Sequence, residues 1–159
     1  MLVDGAREVI GMGLNSLGYS LNSTDEDELQ SALEKLQGLS PNVKAIIGDE
    51  VTQLMVNEEA AVALTWSGQA ADMMWENEEL DYSVPEEGSN LWFDNMVIPK
   101  TSANVDGAHA FINFMLDAEV AAQNADYVGY STPNTAAMEL MDEEVIADER
   151  FYPSEEARD

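Results

Sequence analysis

The segment that most constrains the fold is an almost continuous apolar run over residues 60–66, which ends at the dipeptide Ser67-Gly68. Short apolar runs closed by a turn are typical of strands in a parallel sheet that helices cover on both faces. We therefore expect a buried strand at Ala60–Trp66, followed by a turn and a helix over Gln69–Leu80.

Strand and helix patterns alternate along the rest of the chain. Apolar spacing predicts helices over residues 6–17, 24–36, 49–57, 108–115, 117–127 and 135–141, and short strands over 43–47, 82–84 and 91–98. Such alternation indicates an α/β fold. The predicted turn at 85–88 and the polar residues up to Asn90 mark the expected boundary between two lobes.

The chain is strongly acidic, with 32 aspartates and glutamates against 6 lysines and arginines and a formal net charge of -26. Nucleic acids and anionic membrane surfaces are bound through clustered basic residues, so we expect neither as a partner. A cationic ligand or a saline environment suits this charge better. Most of the acidic runs are interpreted as solvated surface.

No motif of an enzyme or of a cofactor site is present in the sequence. The glycines at 11, 13 and 18 do not follow a predicted strand, which excludes a dinucleotide-binding loop. Ser67 lacks the flanking pattern of a nucleophile elbow, and the single histidine, His109, lies in a helical pattern. Without cysteine, the chain has neither disulfides nor thiolate metal ligands. We expect a protein that is not an enzyme and that uses neither a cofactor nor a metal.

The sequence also carries no targeting or membrane-spanning pattern. Met1–Gly5 lacks the basic and apolar regions of a signal peptide, and no apolar run reaches the roughly 18–20 residues of a membrane span. We therefore expect no direct insertion into a membrane. Because the chain starts close to a helical pattern and stops in a charged stretch, we expect both ends to be cuts in a longer protein.

Aromatic residues lie beside acids where predicted strands end. Trp66 ends the first predicted strand, Trp92 and Asp94 alternate within a later one, and Tyr130 lies in an irregular loop. Alternate residues of a strand point to the same face, so a core around Trp92 would leave Asp94 unpaired, at a cost of several kcal/mol. Although a single tryptophan is more often a core residue, this arrangement favours a ligand site at the strand ends.

Several short segments, taken in order, resemble the later half of one protein family. They are residues 4–9, 17–20, 66–68, 91–99, 111–116, 129–134 and 152–153, of which 92–99 and 129–134 are the most specific. These segments resemble the polyamine-binding proteins, which are the spermidine/putrescine-type substrate-binding proteins of ABC importers. The resemblance extends over nearly the whole chain.

The resemblance implies a type II periplasmic-binding-protein-like α/β fold, in which a mixed sheet and flanking helices form two lobes that close on a ligand. This chain would be an incomplete two-lobe protein without the N-terminal part of the first lobe. Residues 1–90 would belong to the second lobe, residues 91–150 would cross back to the first lobe, and residues 151–159 would be a truncated return segment.

The resemblance also implies a function for the full-length protein. It would bind spermidine or putrescine outside the cytoplasm and deliver the polyamine to the permease and ATPase of an ABC transporter. Its location would be the periplasm or the extracellular side of the membrane, with an anchor at the cell surface.

Site residues follow from the same resemblance. Trp66, Trp92 and Tyr130 match aromatic walls that pack on the methylene chain of a polyamine. Asp94 and Glu8 match carboxylates that take its ammonium groups. A further acidic contact is a weaker expectation: Asp4 is an acid, but relatives often carry their second acid at the next position, where this chain has Gly5.

Two other functions stay open. The first is a binding protein of the same fold for another small cationic solute. The second is an acidic, non-catalytic interaction domain, in which Trp66 and Trp92 would be fully buried and Asp94 would pair with an arginine or lysine of the chain. The burial of the two tryptophans therefore distinguishes the second alternative from a ligand site.

Overall fold

The computed structural model of the protein describes residues 1–153, and the chain divides into two compact units, Met1–Leu91 and Trp92–Asp159. The first unit contains β1 (Leu2–Val3), α1 (Ala6–Asn15), α2 (Glu26–Leu39), a 3-10 turn (Ser40–Asn42), β2 (Ile46–Ile47), α3 (Glu50–Val56) and α4 (Ser67–Glu76). The second unit contains α5 (Val105–Met115), α6 (Ala118–Val128), α7 (Thr135–Met138) and α8 (Glu143–Ile146). Most of the return segment expected at 151–159 lies outside the described residues. The assignment of residues 1–90 and 91–150 to particular lobes stays a prediction.

A small parallel sheet organises the first unit. β1 pairs with β2, with Leu2 opposite Ile46 and Val3 opposite Ile47. A third extended segment lies on the opposite side of β1 from β2. The Met1 ammonium, directly before β1, donates to the Val62 carbonyl of this segment at 2.6 Å. In return, the Leu64 N–H donates to the Met1 carbonyl at 3.0 Å. Met1 thus bonds to both Val62 and Leu64, which is the hydrogen-bond pattern of parallel strands. The three extended segments therefore run in the same direction.

The core of the first unit lies where α3 and α4 pack together over this sheet. Its buried side chains are those of Met1, Val51, Met55 and Met73, and Ile47 of β2 packs against them. Full burial of an aliphatic or methionine side chain stabilises a fold by roughly 1.5–3 kcal/mol. This cluster therefore holds the ends of the parallel segments in place.

Helices α1 and α2 pack closely at Gly13, where a hydrogen atom in place of a side chain faces Ala32 and Leu36 of α2. Gly11, Gly13 and Leu14 of α1 are buried, and Ala32 of α2 is fully buried. A Cβ atom at Gly13 would lie 3.2 Å from two atoms of the Leu36 side chain, so a larger residue there requires Leu36 to shift. Helix α1, the first of the pair, begins shortly after the carboxyl end of β1.

The seven predicted helices are present, with ends that differ from the predicted ones by up to four residues. The Asp25 carboxylate accepts hydrogen bonds from Asp27 N and Glu28 N, and the acidic first turn of α2 suits the positive end of the helix dipole. The helix expected over Gln69–Leu80 instead covers Ser67–Glu76, since Asn77 leaves helical geometry. The turn predicted at 85–88 is confirmed by a hydrogen bond from Gly88 N to Pro85 O.

Three predicted strands are wrong. The segment predicted as a strand at Ala60–Trp66 is reduced to the parallel contact of Val62 and Leu64 with Met1, while Tyr82–Val84 and Leu91–Ile98 are irregular. A strand needs a neighbouring backbone, and residues 93–98 form no backbone hydrogen bonds to another segment within the described part of the chain. The shared face expected for Trp92 and Asp94 therefore lacks the strand on which it was based. No helix within residues 1–153 is long and apolar enough to cross a membrane.

Candidate functional site

The first unit brings an aromatic residue and two acids to one edge of its sheet. Asp4 follows β1, Asp49 follows β2 after one glycine, and Trp66 follows the third extended segment. Because the three segments run parallel, their carboxyl ends lie at the same edge, where ligands of open α/β sheets gather. The Asp4 N–H donates to the Ile47 carbonyl at 2.8 Å, which holds the end of β1 beside the end of β2.

Trp66 occupies the position directly before α4. Its backbone is extended, its carbonyl accepts from Ala70 N at 2.9 Å, and its side chain is half-buried. The interaction-domain alternative requires Trp66 to be fully buried, and this is not observed. The interaction-domain alternative also requires full burial of Trp92, which is 38% exposed.

A chain of side-chain hydrogen bonds fixes the segment around Trp66. The Thr65 hydroxyl donates to Gln69 Oε1 at 2.8 Å, and Gln69 Nε2 donates to Asp49 Oδ1 at 2.9 Å. Asp49 was missed by the sequence interpretation. The available signal was its position immediately after the strand predicted at 43–47.

The Glu8 carboxylate lies over the first turn of α1. A Cβ atom at Gly5 would collide with Glu8 Oε2, so the glutamate side chain folds back toward the start of its own helix. A carboxylate is favoured there by the helix dipole. Among residues 1–153 it has no ion-pair partner, so it is available to a cation. Asp4 is exposed just before this helix.

The second unit pairs two of the predicted aromatic residues. The rings of Trp92 and Tyr130 meet edge to face, with centroids 5.5 Å apart and an interplanar angle of 76°. Asp94, two residues beyond Trp92, is exposed and has no ion-pair partner within residues 1–153. The structure thus brings Trp92 and Tyr130 together, and Asp94 lies on the adjoining stretch of chain with no ion-pair partner among the described residues.

The loop that carries Tyr130 is held at both ends. Helix α6 ends at Gly129, whose φ of 69° lies in the left-handed region that glycine favours and whose N–H donates to Ala125 O. Beyond Tyr130, the Ser131 hydroxyl donates to the Phe151 carbonyl, and Thr132 N donates to the Tyr152 hydroxyl at 3.2 Å. The phenol ring of Tyr130 is therefore carried by an anchored segment.

Asn134 joins this loop to two helices. Its side-chain amide donates to the Leu116 carbonyl at the end of α5 at 2.9 Å, and its side-chain oxygen accepts from Ala137 N in α7 at 3.2 Å. Its backbone N–H also donates to Thr132 Oγ1. The sequence interpretation did not assign positioning roles to Asn134 or Tyr152, although both lie in segments that carried the family resemblance.

An ion pair lies next to the segment that holds the Tyr130 loop. Arg150 donates from Nε and from an Nη atom to the two carboxylate oxygens of Asp148, at 3.0 Å and 2.7 Å. These hydrogen bonds hold the pKa of Asp148 below its usual value. The Asp148 carbonyl accepts from the backbone N–H groups of Phe151 and Tyr152, the two residues that contact the Tyr130 loop. The ion pair and the loop are thus parts of one hydrogen-bonded arrangement.

The chemistry of each unit suits an aliphatic amine. Indole and phenol rings offer apolar surface to methylene groups and attract cations to their faces. Unpaired carboxylates accept charge-assisted hydrogen bonds from ammonium groups. Within the described residues, no group of three or more histidine, aspartate or glutamate side chains is arranged to hold a metal ion.

Comparison with known protein families and structures identifies close relatives. A family model described as "Bacterial extracellular solute-binding protein" matches residues 1–153. The chain is 39% identical to the spermidine/putrescine-binding periplasmic protein of Escherichia coli, over 98% of this chain and 45% of that protein. It is 31% identical to the putrescine/agmatine-binding protein of Pseudomonas aeruginosa, over 97% of this chain and 44% of that protein.

Two solved structures are similar over almost the whole chain. A putative spermidine/putrescine ABC transporter from Listeria monocytogenes has 62% sequence identity and a TM-score of 0.90, covering 98% of this chain and 48% of that one. The spermidine/putrescine ABC transporter substrate-binding protein of Streptococcus pneumoniae has 59% identity and a TM-score of 0.86, covering 97% and 48%. These similarities confirm the expected periplasmic-binding-protein fold, and the chain spans just under half the length of each relative.

Proposed function

Since the chain belongs to the family of bacterial extracellular solute-binding proteins, we propose that it is part of a polyamine receptor of an ABC importer. In this proposal the receptor binds spermidine or putrescine, stays in the periplasm or anchored outside the cell, and delivers its ligand to the permease and ATPase. It acts as a receptor and not as an enzyme. The names of the relatives from E. coli, P. aeruginosa and L. monocytogenes support this choice of ligand.

The observation that carries the proposal is the edge-to-face pair of Trp92 and Tyr130, together with Asp94, which is exposed two residues beyond Trp92 and has no ion-pair partner in the part of the chain that the structure describes. A polyamine alternates apolar methylene groups with protonated amines, so its site has to combine rings with carboxylates. Trp66 and Glu8 offer the same combination of groups in the first unit.

Rough energies are consistent with micromolar binding by a complete site. Burial of four methylene groups contributes about 3 kcal/mol, and a cation over an aromatic face adds about 0.5–2 kcal/mol. Each charge-assisted hydrogen bond adds about 1.5–3 kcal/mol, whereas micromolar affinity requires about 8 kcal/mol after the cost of association. Two carboxylates and two rings reach that value only where solvent is excluded, so we expect the isolated chain to bind weakly.

The overall charge has a smaller role in this proposal. At physiological ionic strength the Debye length is about 8 Å, so distant carboxylates attract a cation only weakly. We therefore assign specificity to Asp94 and Glu8 and assign most of the net charge of -26 to solubility or to a saline habitat.

Calorimetry on a chimera tests the function. In this chimera the chain replaces the matched part of the L. monocytogenes protein, and putrescine, spermidine, agmatine and lysine are titrated in turn. We expect a micromolar or lower Kd for a polyamine and at least a tenfold loss for Trp92→Ala and for Asp94→Ala. Trp75→Ala and Asp106→Ala, which alter an exposed tryptophan and an exposed aspartate on other elements, serve as controls and should leave the Kd unchanged.

Other outcomes of the titration would change the assignment. Tight binding of lysine but not of diamines would favour the alternative of another cationic solute. Heat signals that are absent for every amine would favour the interaction-domain alternative. Micromolar binding of putrescine by the isolated chain would contradict the expectation that the site is incomplete.

A further inference from the structure

Asp49 differs from the other acidic and amide residues that begin helices in this chain. Within residues 1–153, aspartate or asparagine is the N-cap residue of six α-helices, and in five of them its side chain accepts a hydrogen bond from the first turn. Asp49, which precedes α3, is the exception. Its own backbone is already helical, whereas capping residues are typically extended, so its carboxylate is available to another element.

The element that uses this carboxylate is α4. Gln69 Nε2 donates to Asp49 Oδ1 at 2.9 Å, and Gln69 Oε1 accepts from the Thr65 hydroxyl at 2.8 Å. Because an ionised carboxylate only accepts hydrogen bonds, the Gln69 amide has to turn its NH2 group to Asp49 and its oxygen to Thr65. Asp49 therefore sets the direction of both hydrogen bonds.

These hydrogen bonds hold the chain on both sides of Trp66. Thr65 comes directly before it, and the Trp66 carbonyl accepts from the N–H of Ala70, the residue after Gln69. Trp66 is itself the N-cap residue of α4, where an indole ring, which has no acceptor oxygen, cannot cap the helix. A protein that departs from local preference in this way usually does so at a functional position.

We propose that Asp49 and Gln69 are positioning residues, which hold the indole ring of Trp66 in the orientation that binds a polyamine. This inference rests on the proposed function, in which Trp66 is one wall of the polyamine site. A ring that is already oriented loses less conformational freedom on binding, so the affinity rises without a further contact to the ligand. The role requires an acceptor oxygen at position 49 and does not require its charge.

The first test measures the position of the ring without ligand. Fluorine-labelled tryptophan is incorporated into the chain, whose three tryptophans give three resonances by fluorine NMR. Gln69→Leu removes both hydrogen bonds and keeps the approximate size of the side chain. It should shift the resonance of Trp66 and leave those of Trp75 and Trp92 in place. Gln53→Leu, on the exposed side of α3, is the matched control and should shift none of them.

The second test measures the Kd of putrescine by calorimetry in the chimera with the L. monocytogenes protein. Trp66→Ala should weaken binding about tenfold or more, and Gln69→Leu and Asp49→Ala should each weaken it about three- to tenfold. Asp49→Asn keeps an acceptor oxygen for Gln69 and should restore most of the affinity. Helix content by circular dichroism verifies that each variant is folded.

Three results would overturn the inference. One is a Trp66 resonance that does not move in Gln69→Leu. Another is a loss of affinity in Trp66→Ala with none in Gln69→Leu. The third is an equal loss in Asp49→Asn and Asp49→Ala, which would mean that the charge of Asp49 acts on the ligand directly.

Failure of the proposed function gives a different result. An unchanged Kd for Trp66→Ala would remove Trp66 from the polyamine site. The shifted resonance in Gln69→Leu would still support the positioning of the ring, because it is measured without polyamine.

Discussion

The indole ring of Trp92 and the phenol ring of Tyr130 lie edge to face, with centroids 5.5 Å apart and planes at 76°. Trp92 begins the second unit, and Tyr130 lies in the loop that follows α6. The contact joins two stretches of chain that are distant in sequence. It also fixes the orientation of one ring relative to the other, which is what a site for an aliphatic cation requires of its walls.

Replacement of Tyr130 with leucine should lower the free energy of unfolding by about 1 kcal/mol, because edge-to-face pairs contribute roughly 0.5–1.5 kcal/mol beyond their buried area. Urea denaturation of Tyr130→Leu, Trp92→Leu and the double variant gives the coupling energy of the pair. Tyr127→Leu alters an exposed tyrosine of α6 and serves as the control, with an expected change below about 0.5 kcal/mol. A coupling energy of zero would show that the rings do not stabilise each other.

Asn134→Ala should destabilise the chain by about 1–2 kcal/mol, because it removes the N-terminal cap of α7 together with the hydrogen bond to the Leu116 carbonyl. Asn134→Asp keeps the capping oxygen and loses only the donor, so about half of the stability should return. Both are measured by urea denaturation, with Asn124→Ala on the exposed side of α6 as the control. Equal losses for Asn134→Asp and Asn134→Ala would contradict the capping role.

Helices were predictable from the sequence, because the information that forms them is local. The start of α2 is an example: the pattern predicts a cap at Thr24 with an acidic first turn, and the structure places the cap one residue later, at Asp25. Residues 93–98 show the opposite case. Their composition predicts a strand, but a strand is completed by a backbone elsewhere, and the described residues contain none beside them.

The candidate site was predictable to a similar extent. The aromatic and acidic residue types could be selected from the sequence, and the family resemblance assigned their expected roles. The contact between Trp92 and Tyr130 could not be predicted, because it depends on where the loop after α6 is held. The hydrogen bond between Gln69 and Asp49 was missed for the same reason, since it joins residues from two different elements.

Two glycine-to-alanine substitutions should change stability in opposite directions. Gly13→Ala places a Cβ atom 3.2 Å from Leu36 at the contact of α1 with α2, so we expect a loss of about 1–3 kcal/mol. Gly38→Ala adds a Cβ atom within α2 that meets nothing within 4 Å, and it should stabilise the chain by about 0.4–1 kcal/mol. Thermal and urea denaturation measure both effects. A neutral Gly13→Ala would show that the helix pair is more loosely packed than the structure indicates.

Acidification should weaken the support of the Tyr130 loop. The hydrogen bonds from Arg150 lower the pKa of Asp148 in the folded chain, so their stabilisation is present above the unfolded pKa of about 4 and is lost as the pH falls through the folded pKa. The pair is partly exposed, and its contribution should stay below about 1 kcal/mol. Carboxyl-carbon NMR should show a higher midpoint for Asp148 in Arg150→Gln than in the unmodified chain. An unchanged midpoint would mean that the ion pair is absent in solution.

Gly5→Ala should reduce polyamine affinity without unfolding the chain. The φ of Gly5 is -149°, which alanine adopts freely, but the added Cβ atom collides with Glu8 Oε2 and forces the carboxylate away. If Glu8 takes an ammonium group, Glu8→Ala in the chimera with the L. monocytogenes protein should cost about 1.5–3 kcal/mol, which is roughly ten- to a hundredfold in Kd. Gly5→Ala should cause a smaller loss by calorimetry and none at all when Glu8 is already alanine. An equal effect of Gly5→Ala in both backgrounds would show that this position does not act through the Glu8 carboxylate, and an unchanged Kd for Glu8→Ala would remove Glu8 from the proposed site.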